Sequence, residues 1–463
     1  MSIVLGIPAN VLELNQLGLI ERAFHDGLFP NLAYRSEAMA EEWPANTGTE
    51  LFMTRPGLLT PVAKPIKPGT DPVPQTVPYE QWVARLDQIA SAIDTHMPTS
   101  VTSNANLFLR NIHQLGLQAG QSINRVARNA LFAAYISGQT TMVDAGAAGD
   151  AQVHVSAVNG FTEVVTPGGN VKPQVVSGAF PLPVTIGVGA AAIKRNVIGF
   201  VLDDPNDPLG PGVLLLSATL GAIFAARSAV VSSFAPTVVR ASGGASVDAI
   251  GPGDTLTLQL AINAVALLRQ ANVQPHEDGF YHAHISPLGN AQFFADPVYQ
   301  RLNQSLPDGA NYSKGFIGSI SEIMFFSNTE SPGTANTGTR TATSTSAFYS
   351  ADIGGETTNA AGVNIGRVII TGKGAIYEKY LDESQYVTEA GLTGKVGEFD
   401  VVNAGIPILS ERIRLYLRSP LDRLGQIVSA AWSITTSFPI PSDVTAQSGP
   451  QRFKRAVVVE HAI

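Results

Sequence analysis

Residues 104–137 read NANLFLRNIHQLGLQAGQSINRVARNALFAAYIS, and the rest of the chain is organised around this stretch. Phe108, Ile112, Leu115, Ala119, Ile123, Val126, Ala130 and Ala134 recur at steps of three and four, the spacing that lays side chains along one stripe of an α-helix. No proline interrupts the run. At ~1.5 Å per residue it reaches roughly 50 Å, whereas helices of globular proteins average about 11 residues. Its only charges are Arg110, Arg125 and Arg128. A solvated helix normally interleaves Glu and Lys, so most of this one's circumference is expected to lie against protein. A long core helix of a large domain fits the same pattern.

The 463 residues suffice for two to four domains, and 44% of them are hydrophobic. Only 14% are charged, against about 25% in typical soluble proteins. Either neighbouring copies cover much of the surface, or the exterior is simply rich in Ser, Thr, Gly and Ala. A net charge of −8 recruits neither nucleic acid nor an anionic membrane. The absence of cysteine excludes disulfides, thiolate catalysis and cysteine-ligated zinc. Glu13 and Glu21 follow a start without a basic cluster, so no secretion signal is expected, and the apolar run 213–226 is too short to span a bilayer. A soluble intracellular product is the expectation.

Residues 1–50 hold two short helical hints, 9–20 and 36–43, neither long enough to stand alone, and read as an arm. Strand-like runs at 51–62 and 79–97 flank the proline-rich AKPIKPGTDPVPQTVP. In 79–97 a helical reading of Trp82, Leu86, Ile89 and Ile93 competes with a strand; a hairpin is favoured, and an isolated hairpin needs a surface to lie on. After a glycine-rich break, 151–240 carries short candidate strands such as QVHVSAV, LPVTIGV and GVLLLSATL between turns, the pattern of a β-sandwich or barrel. DDPNDPLGPG lacks the ligand rhythm of an EF-hand and reads as a loop.

Asp254 is placed to cap a helix, TLTLQLAINAVALLRQANV, with Leu256, Leu260, Val265 and Leu268 inward. DGFYHAHISPLGNAQFFADPVYQRLNQ and KGFIGSISEIMFFSNTE then give a strand ending at Ser286-Pro287, a helix with Phe293 and Phe294, a break at Asp296-Pro297, and a hairpin into a strand at 323–326. Gly279-Phe280-Tyr281, Ala283, Ile285, Pro287, Asp296-Pro297, Gly315, Gly318 and Phe326 stand in an order that resembles the tailed-phage major capsid protein family.

That resemblance covers about three-quarters of the chain and implies an α+β protein of the HK97-like capsid fold. It implies an N-arm over 1–50, an extended β-hairpin E-loop over 51–100, a peripheral-domain spine helix over 101–140, an axial domain over 246–400, peripheral return strands over 401–440 and a C-terminal arm over 441–463. Segment 141–245 departs from the basic pattern and reads as an inserted β-rich domain. The resemblance further implies self-assembly into hexamers and pentamers of an icosahedral shell around double-stranded DNA. The implied partners are neighbouring capsomers, portal, scaffolding and decoration proteins, and packaged DNA held by weak non-specific contact, with no membrane. The implied location is the virion capsid, assembled in the host cytoplasm.

Assembly contacts are expected at Lys64, Lys67, Trp82, Arg85 and Asp87, and at Arg412, Arg414 and Arg418 of the alternating strand ERIRLYLR. The arginine face reads either as a solvated or salt-bridged surface or as a contact to acids such as Asp87 or Asp94 of another subunit, or to DNA. The tail QRFKRAVVVEHAI reads as an edge strand or arm. Phosphate-loop, HExxH and GxSxG motifs are absent, so no catalytic residue and no cofactor is expected. His282 and His284 share a strand face, where a structural or interface pair is favoured over a metal site. Lysine-to-asparagine crosslinking, known in some relatives, would use Lys64 or Lys67, but its asparagine and glutamate have no assigned positions. An encapsulin-type compartment shell and a β-rich tail or surface-binding module remain the alternative readings.

Overall fold

The computed structural model describes residues 19–28, 33–44, 47–57, 59, 61–67, 69–102, 107–165, 173–304, 318–328, 330–331, 358–381, 413–418, 424, 426–445 and 451–463. The chain is a mixed α+β protein of two compact units: Met1–Leu51 with Ala84–Arg128 and Ile376–Pro439, and Phe52–Val83 with Asn129–Ala375 and Ile440–Ile463.

The first unit holds α1 (Leu19–Leu28), α2 (Met97–Thr102) and most of α3 (Leu107–Tyr135). Helix α3 is the long run expected from sequence, and Phe108, Ile112, Leu115, Ala119 and Ile123 are buried as the stripe requires. Beyond Ile123 the buried side turns. Ala127, Leu131 and Tyr135 carry it on, while Val126 stays 37% exposed. Steps of four overshoot a full helical turn by about 40° each, which moves the stripe onto Asn124 and Arg128. Asn124 tolerates burial because its Oδ1 accepts the Tyr34 amide at 2.6 Å.

Helix α1 buries Ile20, Phe24 and Leu28 along one side. It meets α3 backbone to backbone, since a Cβ on Gly116 would overlap the Phe24 carbonyl oxygen and one on Gly27 the His113 carbonyl oxygen. The unit's sheet pairs β1 (Met39–Glu42) parallel with β18 (Tyr377–Tyr380); β20 (Ile427–Ser437) then runs antiparallel to β18, to β19 (Arg414–Arg418) and to β4 (Asp87–His96). Arg35, in the turn before β1, makes a bidentate pair with Glu378 of β18 at 2.6–3.0 Å, both side chains at most 2% exposed.

In the second unit, β13 (Val238–Arg240) lies parallel to β21 (Ala456–Ala462), which is antiparallel to β17 (Ile365–Thr371); β14 (Tyr281–Ile285), β16 (Ile323–Ser327) and β15 (Ser319–Ile320) continue the sheet. The tail strand β21, expected at an edge, is therefore flanked on both sides, and all seven of its residues are buried. Helices α4 (Leu258–Gln270), α5 (Pro287–Ala295) and α6 (Pro297–Gln304) accompany this sheet, whose core joins Leu258, Leu268, Phe293, Tyr299, Val457 and Val459.

The first amide of α4, at Leu258, goes to Asp296 Oδ2 at 2.8 Å and not to Asp254. Asp254 instead accepts the Gly251 amide within its own turn. Asp296 also accepts Val298 N, so the Asp-Pro break caps two helices at once.

A second, all-antiparallel sheet lies in the same unit. Its order is β5 (Gln139–Thr141), β12 (Ala229–Ser232), β9 (Leu182–Ile186), β10 (Ile193–Leu202), β11 (Gly212–Leu216), β6 (Gln152–Val155). The small ribbon of β7 (Glu163–Val164) and β8 (Gln174–Val175) adds Val164 to its core, with Val176 beside it. The remaining strands, β2 (Glu50–Pro56) and β3 (Tyr79–Arg85), pair with each other. The stretch expected to be one long strand is broken at Leu86, whose amide bonds back to Thr49 O; β3 stays in the hairpin and β4 pairs with β20.

Two outcomes test this packing. Gly116→Ala gains helix propensity of up to ~1 kcal/mol, yet the blocked α1 contact outweighs it and lowers unfolding stability by about 2 kcal/mol in denaturant titration; a more stable variant would contradict the crossing. His461, fully buried in β21, is pushed down to about 4 by burial. Above the unfolded value near 6.5 both states are neutral; as pH falls toward 4 only the unfolded chain takes the proton, so stability is lost across that window. Between pH 7 and pH 4 the protein therefore loses roughly 3 kcal/mol relative to His461→Leu; a constant gap between the two would refute the neutral buried ring.

Candidate assembly surface

Strands β2 and β3 close on each other through the Gly57 amide, which donates to Pro78 O at 2.6 Å. The connection from 59 to 76 then runs with every described residue exposed. Proline removes donors and fixes φ, which keeps such a segment extended and prevents it from folding into a core of its own. Its apolar side chains are left in solvent: Val73 is 87% and Val62 73% exposed, with Leu59 and Ile66 at half. Scattered exposed apolar residues are ordinary, but four along one connection form a surface without cover. Lys64 and Lys67 lie exposed in this segment, and Lys67 O accepts both the amide and the hydroxyl of Thr70 in a tight turn.

The part of the hairpin next to this loop is held by charge. Arg55 of β2 pairs with Glu80 of β3 and with Asp443 at 2.8 Å, and Arg455 reaches the same Asp443 oxygen at 3.0 Å. The Arg55 guanidinium also lies 5.4 Å from the centre of the Trp82 ring, and Trp82 is 5% exposed. Burial, aided by the nearby Asp443 carboxylate, raises the pKa of Glu80 above its ordinary value, with Arg55 and Arg455 opposing. Burial likewise raises Tyr135, whose hydroxyl donates to Ala375 O at 3.0 Å. Sequence reading singled out Trp82 but missed Arg55, Glu80, Asp443 and Arg455. Their one local signal is that Glu80, Trp82 and Ala84 alternate inward along β3; the arginines and Asp443 come from distant segments.

Arg85 pairs with Glu50 at 3.0 Å with both side chains well exposed, a contact worth about 0–1 kcal/mol. Asp87 is exposed and stands opposite Thr436. Arg412 lies outside the described residues. In register, Arg414 faces Ser433 and Arg418 faces Ser429, while Asp94 faces the same Ser429 from the other side of β20. One of the acids proposed to meet these arginines thus sits in the same sheet of the same chain, two strands over.

Pairs form around both histidines of β14. His282 bonds Asp278 at 2.8 Å and stacks on His276 at 4.1 Å, while His284 is buried and stacks on Phe326 at 5.4 Å. Burial works against the Asp278 carboxylate, but the Phe280 amide and His282 outweigh it and hold its pKa below the usual value. These contacts place His282 and His284 in the packing of β14. Among the described residues no helix is long and apolar enough to cross a membrane.

Solved structures to which this chain is similar include bacteriophage capsids. The capsid asymmetric unit of cyanophage Pam1 aligns over 95% of this chain and 92% of its own, at 9% identity and a TM-score of 0.47. The capsid of cyanophage P-SCSP1u aligns over 93% and 88%, at 10% identity and a TM-score of 0.46. The capsid of Helicobacter pylori bacteriophage KHP30 aligns over 91% and 87%, at 8% identity and a TM-score of 0.47. No protein-family model and no curated protein matches the chain.

Replacing Arg55 by Met tests the hairpin's charge network. It leaves Glu80 and Asp443 buried with one guanidinium fewer and lowers unfolding stability by about 3 kcal/mol. Adding Glu80→Gln recovers part of that loss. A single-variant loss under about 1 kcal/mol would show a network screened by solvent.

Proposed function

We propose that this chain is a major capsid protein that self-assembles through hexamers and pentamers into an icosahedral shell around phage double-stranded DNA. The observation that carries the reading is the 59–76 connection, which displays Leu59, Val62, Ile66 and Val73 to solvent on a hairpin braced by buried charge. Burial of those four side chains on a neighbouring copy stabilises association by about 1.5–3 kcal/mol each before ordering costs. One such contact is weak, but a closed shell repeats it around every ring, and the summed contacts hold where a single one would not.

In this reading 1–50 is the N-arm, 51–100 the E-loop, 101–140 the spine helix, 141–245 an inserted domain, 246–400 the axial domain, 401–440 the return strands and 441–463 the C-terminal arm. The capsid-like order of motifs from Gly279 to Phe326 supports it. In the described part, strand 281–285 is followed by helices 287–295 and 297–304, with strand 323–327 beside the first strand. Lys64, Lys67, Trp82, Arg85, Asp87, Arg412, Arg414 and Arg418 are then the candidate assembly contacts. Portal, scaffolding and decoration proteins and the packaged genome are the partners this role requires, and the virion capsid is its place.

Expression of the chain followed by negative-stain microscopy tests the reading. Closed hollow particles are the expected result, and replacing 59–76 by a glycine-serine turn abolishes them while leaving the thermal unfolding transition in place. Particles that survive the loop replacement would overturn the role given to the loop. Filaments or monomers from the intact chain would overturn the shell. Particles that carry a protein cargo in place of nucleic acid would point to a compartment shell.

A further inference from the structure

The antiparallel sheet β5-β12-β9-β10-β11-β6 uses only one of its faces for its core, through Val153, Val155, Val184, Val197 and Leu214. On the opposite face Val201 is 56% exposed, and Ile198 and Leu215 are each 36% exposed. Ile198 is there because the β10–β11 register slips between Val197 and Gly199, a bulge that leaves this residue without an opposite number. Val201 pairs in register with Val213, and Gly199 with Leu215, so the apolar side chains lie side by side across two strands.

Charge is segregated at the two ends of this stripe. Lys194, near the start of β10, is exposed and has no acidic partner among the described residues. Asp203 and Asp204 follow the other end of β10, and Asp144 joins them there, held with Asp203 by His154 at 2.8–2.9 Å. The Asp144 and Asp203 side chains are 72% and 41% exposed.

We propose that this face is a two-fold contact, on which the same face of a second copy of the chain packs with the two β10 strands antiparallel. The charge pattern selects that occupant and that orientation. Turned by a two-fold axis near Ile198, each copy sets its Lys194 over the other's Asp203 and Asp204, and the apolar stripes cover each other as in an aligned sandwich. A parallel overlay would instead set acid on acid. The inference rests on the shell reading, in which many copies repeat the contact and reinforce it.

The chain has no cysteine, so one introduced thiol reports on one place. Full-length Ile198→Cys is treated with a short bis-maleimide before and after assembly and run on a denaturing gel; Leu215→Cys, on the same face, repeats the reading if the first variant does not assemble. Particles with a two-chain band, absent for the off-face control Ile223→Cys, are the expected result. Lys194→Glu lowers the yield of that band about five-fold, the effect of two exposed ion pairs lost together by symmetry, and adding Asp204→Lys in the same chain restores it. Particles in which residue 198 stays monomeric or links to a foreign protein would overturn the contact and leave the shell standing. A two-chain band from concentrated chain that forms no particles would keep the contact and overturn the shell; neither band nor particles would overturn both.

Discussion

Glu460 sets the order of the larger unit. It stands in β21 opposite Arg240 of β13 on one side and Arg367 of β17 on the other, and its carboxylate takes a hydrogen bond from each guanidinium at 2.8 Å. Burial alone would raise its pKa, but the two arginines reverse that and hold it below the ordinary value. Side chains in a strand alternate between faces, so a one-residue slip of β21 would turn all seven to the wrong side and strand three buried charges. With the register held, Val457 and Val459 meet the core that also takes Leu258, Leu268 and Phe293. The His461 ring then lies over Gly366, where an added Cβ would meet both it and Ile463. The buried triad is costly as a source of stability and strict as a specifier of pairing.

Sequence reading fared best where the pattern is local and repeated. The 29-residue helix, the strand and the helix between Ser286 and Asp296, and the β-rich stretch from 151 to 240 follow from periodicity and from Pro and Gly punctuation, whereas the helix resumes after Asp296-Pro297, where only a break was expected. It fared worst where a partner arrives from far along the chain. Asp254 has the right type and place to cap α4, yet Asp296, 38 residues downstream of the amide it caps, takes the bond. The tail strand looked like an edge because nothing near it in sequence announces β13 or β17. The charges at the hairpin were invisible for the same reason, since Arg55 and Asp443 are 388 residues apart.

Few charges and many internal pairs belong together in this protein. Arg35, Arg240, Arg367 and Arg55 are spent inside, on Glu378, Glu460, Glu80 and Asp443. In a chain that is only 14% charged, such internal use leaves less for the exterior. What the surface does carry is uneven, with an apolar proline-rich loop in one place and a stripe flanked by Lys194 and three aspartates in another. Uneven surfaces of this kind favour specific neighbours over general solubility.

The pairing of β4 with β20 runs through ten consecutive registers, from Asp87 opposite Thr436 to His96 opposite Ile427. A pull along the strand axis loads all of those hydrogen bonds together, whereas a pull at right angles would open them one after another. Tension of the first kind meets the ladder as one cooperative unit, so this sheet resists lengthwise shear far better than peeling.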